Sequence, residues 1–150
     1  MKLNSVREIL DFAIQKEQEA ADFYNDLANR VSRAGMKGVF QGFAREEMGH
    51  KAKLEAVKAG NRMLASEQKI LDLKIGDHLA EIEMKPDMGY QEALIVAMKA
   101  EKNAFILYTD LASATEDAGL RDMLLSLAQE EAKHKLRFEV EYDEHILTEN

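Results

Sequence analysis

Apolar residues recur along this chain at intervals of three and four, the period of an amphipathic helix, in four long segments. These segments cover residues 5–31, 36–61, 90–114 and 120–147. The first opens on "SVRE", in which Ser5 and Glu8 have the spacing of a capping box. Gly60 and Asn61 suit the end of the second. "RAG" and "EDAG" interrupt the pattern only briefly, and so short a break makes two successive helices antiparallel neighbours. By contrast, "RMLASEQKILDLKIGDHLAEIEMKPDMG" is too long for a tight turn. It is expected to cross along the bundle and to contain helical pieces of its own. The pattern therefore predicts an all-α four-helix bundle of two antiparallel hairpins joined by a long crossover.

Composition agrees with helices. One Pro and 8 Gly in 150 residues leave few breakers, and 46% apolar with 32% charged residues suits amphipathic faces. The length is that of one domain, expected to span 1–150. No run approaches the roughly 18 apolar residues of a membrane span, so no membrane partner is expected. "MKLNSVREILDF" lacks the apolar core of a secretory signal, and a cytoplasmic location is expected. The absence of cysteine excludes disulfides, thiolate metal ligands and thiol catalysis. A formal charge of −8 repels phosphate backbones, which argues against nucleic acid as a partner.

The chain repeats itself. Shifting it by 84 positions aligns 11–55 with 95–139, and 15 of these 45 pairs are identical. Among them are Glu17 with Glu101, Tyr24 with Tyr108, Gly35 with Gly119, Glu47 with Glu131 and His50 with His134. A repeat that served packing alone would keep apolar character and be indifferent to acid and imidazole. Here the acids and histidines survive while many apolar positions change residue type.

Glu47 and His50 in "EEMGH", and Glu131 and His134 in "EEAKH", lie three residues apart. At about 100° per residue their side chains diverge by only about 60° around the helix, so both reach one point. Glu17 and Tyr24 share nearly one azimuth two turns apart, as do Glu101 and Tyr108. Phe12, Ala13, Ala20, Phe23, Tyr24 and Leu27 surround Glu17, and Ile95, Ala97, Met98, Ala104, Phe105 and Tyr108 surround Glu101. Carboxylates in such company face a large desolvation cost unless a cation compensates them. Four helices would thus deliver Glu17, Glu47, His50, Glu101, Glu131 and His134 to the interior as metal ligands. Four carboxylates and two divalent ions sum to zero charge. Glu47 and Glu131 would bridge the ions, with Glu17 and Glu101 terminal. Six protein ligands leave open positions for chemistry.

A single Glu-x-x-His carries little weight. With 18 Glu in 150 residues, about one histidine in eight has Glu three positions before it by chance, usually as an ion pair on a solvated face. Two copies at one offset, each accompanied by Glu-x6-Tyr, call for a metal site. Glu46 and Glu130 also repeat, four residues before the same histidines and within their reach, and read as surface charge rather than as ligands. Tyr24 and Tyr108 are either core aromatics or donors to a ligand carboxylate across the bundle. His78 and His145 have no repeated acid and read as surface histidines, and the 8 methionines as core filler.

The paired motifs "EQEAADFY" with "EEMGH" and "EKNAFILY" with "EEAKH" resemble the rubrerythrin family of the ferritin-like di-iron carboxylate superfamily. The resemblance covers nearly the whole chain. It implies a ferritin-like bundle, two non-haem irons and reduction of hydrogen peroxide or dioxygen as protection against oxidative stress. Two features depart from the family pattern. Met98 stands where rubrerythrins often carry an additional Glu, which makes the ligand set symmetric as in bacterioferritin. No cysteine-ligated rubredoxin domain is present, so electrons would come from a separate, rubredoxin-like donor protein. The alternatives are a ferroxidase for iron storage and a non-catalytic helical domain holding manganese, zinc or iron. A homodimer or small homo-oligomer is expected. No catalytic group beyond the metal centre is identified.

Overall fold

The computed structural model describes residues 5–60 and 82–149. They form α1 (Val6–Arg30), α2 (Ala34–Gly60), α3 (Tyr90–Ala114) and α4 (Ala118–Glu149), with no strand among the described residues. The sequence repeat is also a structural repeat. Val6 and Tyr90, Arg30 and Ala114, and Ala34 and Ala118 are each 84 positions apart. The predicted third helix agrees with α3 at both ends. The other two that follow a short break, α2 and α4, begin two residues earlier than the pattern predicts, taking Gly35 and Gly119 into their first turns.

Local chemistry sets the helix ends. The Ser5 hydroxyl accepts the Glu8 N–H at 3.2 Å, which is the N-cap half of the predicted box. The Asp117 carboxylate accepts the Leu120 N–H at 2.8 Å and does the same for α4. Arg30 closes the last turn of α1, where Asp26 holds it at 3.0 Å. Its guanidinium also donates to the Lys85 carbonyl, and the Arg30 carbonyl accepts the Met88 N–H at 3.2 Å. The chain entering α3 is thereby tied to the end of α1. Residues 82–89 are non-helical. The helical pieces expected earlier in the crossover, and His78, lie outside the described residues.

The connections 31–33 and 115–117 are each three residues long, so α1 packs along α2 and α3 along α4, and α1 also meets α3. Two apolar clusters fill the bundle, and each draws residues from both hairpins. One contains Ile9, Leu10 and Leu54 with Leu107, Leu111, Leu120 and Leu124. The other contains Leu27, Phe40 and Phe43 with Tyr90, Leu94 and Phe138. Along every helix a polar step separates them. In α1 the buried stripe runs Val6, Ile9, Leu10, Ala13, Glu17, Ala21, Tyr24, Leu27, Ala28. Glu17 holds a core position in register with the apolar residues on either side. This is the all-α bundle the sequence pattern predicts.

Candidate metal centre

The polar layer between the clusters contains Glu17 from α1, Glu47 and His50 from α2, Glu101 from α3, and Glu131 and His134 from α4. The four glutamates are each 1% exposed. All six residues singled out from the repeat therefore meet in the interior. Their arrangement follows the repeat. His50 Nδ1 lies 3.1 Å from Glu131, 3.6 Å from Glu17 and 3.7 Å from Glu47. His134 Nδ1 lies 3.1 Å from Glu47, 3.4 Å from Glu101 and 3.8 Å from Glu131. The imidazoles stack with centroids 5.8 Å apart and planes 7° from parallel.

Two overlapping donor groups result. Glu17, Glu47, His50 and Glu131 offer ligand atoms within 4.8 Å of one another, and so do Glu47, Glu101, Glu131 and His134. Glu47 and Glu131 belong to both. Each of the six residues also has a buried atom without a hydrogen bond: Glu17 Oε2, Glu47 Oε1, His50 Nδ1, Glu101 Oε2, Glu131 Oε1 and His134 Nδ1. An unsatisfied buried polar atom costs about 1–3 kcal/mol, and more when charged. Six at one point therefore require a partner, and carboxylate oxygens with imidazole nitrogens are the donors that divalent transition metals take. The residues present fit a metal centre.

Proton affinities report the same crowding. Burial pushes Glu17 and Glu101 up to about 8; the Glu47 carboxylate adds to the effect at both. Glu131 is also raised, first by burial and then by its contact with Glu101. Burial would lower His50, yet its contacts with Glu131, Glu17 and Glu47 push it up to about 12. His134 is raised in the same way, its contact with Glu47 overcoming burial. Without a cation, the cluster retains protons.

The tyrosines cross between hairpins. Tyr24 donates its hydroxyl proton to Glu101, and Tyr108 donates to Glu17. The cross-bundle donor reading holds for both, with each repeat half supporting the carboxylate of the other. Burial, followed by the facing carboxylate, raises both phenols well above their ordinary value, so they remain protonated donors.

Sequence reasoning missed one contact. Glu46 is exposed, as its reading as surface charge expects, yet it has an oxygen 3.2 Å from His134 Nε2, the ring nitrogen facing away from the donor cluster. Arg137 donates to both Glu46 oxygens at 3.2 and 3.1 Å. The signals in the sequence were that Glu46 repeats as Glu130 and that each stands four residues before a histidine; among the described residues Glu130 pairs with Lys133, at 3.5 Å. Another reading is corrected at the chain's end. His145 is half-buried, its ring edge-on to Tyr90 at 5.2 Å.

Two hairpins presenting Glu-x-x-His opposite two single glutamates form the ligand pattern of the di-iron bundles. The sequence profile of the rubrerythrin family matches residues 8–142. This chain belongs to the rubrerythrin family. Rubrerythrins are a ferritin-like di-iron family. Among solved structures, a hypothetical protein from Pyrococcus furiosus is similar with a TM-score of 0.65 and 25% identity. The match covers 93% of this chain and 89% of that one. No curated protein matches the chain. In this rubrerythrin Met98 packs against the apolar cluster around Phe138 and supplies no carboxylate. No described helix is long and apolar enough to cross a membrane.

Proposed function

We propose that this rubrerythrin-family chain is a non-haem di-iron redox protein that reduces hydrogen peroxide or dioxygen. The observation that carries the reading is the pair of buried donor groups sharing Glu47 and Glu131. Glu17 and His50 would hold one ion and Glu101 and His134 the other, with Glu47 and Glu131 available to both. Iron held there would supply the two electrons that, with two protons, convert hydrogen peroxide to two waters.

The chain's own residues prepare this step. Tyr24 and Tyr108 fix the carboxylates of Glu101 and Glu17, so one oxygen of each is oriented before any ligand arrives. The apolar clusters on either side exclude bulk water, which strengthens every charge interaction between them. These 150 residues contain no cysteine to hold an electron-transfer iron, so reducing equivalents would come from a rubredoxin-like donor, in a cytoplasmic setting.

The test is to load the protein anaerobically with ferrous iron, count metal per chain by elemental analysis, and mix with peroxide or dioxygen. Two irons per chain and an optical change faster than that of free iron are expected. If neither oxidant is consumed faster than by free iron, the redox reading is wrong. The symmetric donor set, with Met98 packed as an apolar residue, favours a second reading, ferrous oxidation for storage. A large hollow assembly in solution would support storage, whereas a dimer or small oligomer would support the redox enzyme.

A further inference from the structure

The two histidines are alike on their inner faces and unlike on their outer ones. Around His134, Glu46 meets Nε2 at 3.2 Å, and Arg137 grips both oxygens of Glu46. The Arg137 guanidinium lies 4.5 Å from the centre of the Phe43 ring, and that ring stands edge-on to His134 at 4.8 Å. Phe43 and Glu46 come from α2, His134 and Arg137 from α4; Phe43 is buried against the imidazole, whereas Glu46, paired with Arg137, meets it from the solvent side.

The repeat places Leu127, Glu130 and Lys53 in the equivalent positions around His50. None reproduces the arrangement. Leu127 offers no aromatic face, Glu130 turns to Lys133 on its own helix, and among the described residues no ion pair joins Lys53 to Glu130. Among the described residues the ion-pair contacts of His50 all run through Nδ1. A carboxylate on the outer nitrogen of a ligating imidazole keeps the proton there and leaves the inner nitrogen free. It also fixes the ring and makes the inner nitrogen more basic toward a metal.

We infer that Glu46, held by Arg137 and Phe43, makes the two metal positions unequal. The position built on Glu47, Glu101, Glu131 and His134 binds its ion first and more tightly than the one built on Glu17, Glu47, His50 and Glu131. This rests on the two-metal reading above. Glu46 acts through His134 and is a positioning residue.

The test titrates the full chain, stripped of metal, with cobalt(II), following the visible absorption of the bound ion. Wild type is expected to fill in two resolved steps. Glu46→Ala should weaken the first step by about 10- to 100-fold, the usual effect of removing an outer partner of a ligand. Glu46→Gln, which keeps an acceptor without the charge, should fall between the two, and Glu130→Ala should leave both steps in place. Thermal melting of each metal-free variant separates lost affinity from lost fold. In zinc(II)-loaded wild type, the Nε2–H proton of His134 should exchange with solvent more slowly than that of His50, and Glu46→Ala should abolish the difference. Equal effects of Glu46→Ala and Glu130→Ala, or two indistinguishable steps in wild type, would overturn the inequality and leave the two-metal centre standing. Wild type that takes up no cobalt at all would instead sink the centre itself, and this inference with it.

Discussion

Raising the pH of the metal-free protein from about 5 to about 8 is expected to destabilise it. The carboxyls of Glu17 and Glu101 ordinarily titrate at 4.5 but in the folded chain do so at about 8, chiefly because burial disfavours their charge. Between those values the folded chain keeps protons that the unfolded chain releases. Their contribution to stability is fully present below 4.5 and is lost as the pH rises through about 8. One unit is about 1.4 kcal/mol, so a single carboxyl shifted this far represents on the order of 5 kcal/mol. Glu17, Glu101, Glu131 and the histidines titrate as one set, so the shifts do not simply add. One proton's worth is the working magnitude, a large share of a typical stability of about 5–15 kcal/mol. His50 acts in the same direction. Raised from 6.5 to about 12, its contribution is complete below 6.5 and is lost as the pH climbs toward 12.

The assay is denaturant unfolding of chelator-treated protein at half-unit steps across this range, repeated with saturating zinc(II). Metal donors must shed their protons to bind, so the stabilisation by zinc should grow with pH while the metal-free stability falls. Glu101→Gln, which removes one titrating carboxyl, should flatten the metal-free profile. A metal-free midpoint that stays level or rises between about pH 5 and pH 8 would refute the reasoning, because it would mean that the buried carboxylates are already compensated by the protein.

Two further substitutions test the surroundings of the centre. Tyr24→Phe removes the hydroxyl that donates to Glu101 and should cost about 1–3 kcal/mol in denaturant unfolding, with Tyr108→Phe giving a similar loss through Glu17. Leu54→Ala empties a fully buried position in the cluster beside His50. It should cost about 2–5 kcal/mol on unfolding while metal stoichiometry measured by elemental analysis stays at wild type.

The periodicity made α3 legible at both ends and α1 to within a residue, because few breakers interrupt their apolar stripes. The six donor residues were legible only through the repeat, since an isolated Glu-x-x-His has the spacing of any ion pair along a helix. What the sequence hid depends on how one helix docks against another. Glu46 sits four residues before His50, yet the histidine it meets is His134 on the facing helix. That pairing depends on which turns of α2 and α4 lie opposite each other, and single-helix periodicity does not encode it. Ile95 shows the converse. It was expected around Glu101 but is 39% exposed, since six residues turn a helix by about 240° and carry it to the far face.

The sharing of Glu47 and Glu131 determines how the bundle responds to metal. One donor group takes residues from α1, α2 and α4, the other from α2, α3 and α4, so neither hairpin contains a complete group. An ion in either position therefore joins the two hairpins, and so does each tyrosine bond, Tyr24 to Glu101 and Tyr108 to Glu17. In the metal-free chain the apolar clusters at both ends hold the hairpins together, and protons retained on the buried carboxyls relieve their mutual repulsion. The large aromatics Phe40, Phe43 and Phe138 pack one of these ends, with Phe43 and Phe138 centroids 4.1 Å apart across the hairpin boundary. Packing thus brings the donors together without a cation, at the cost of protonation. Metal then replaces those protons at a site whose geometry the bundle has already set.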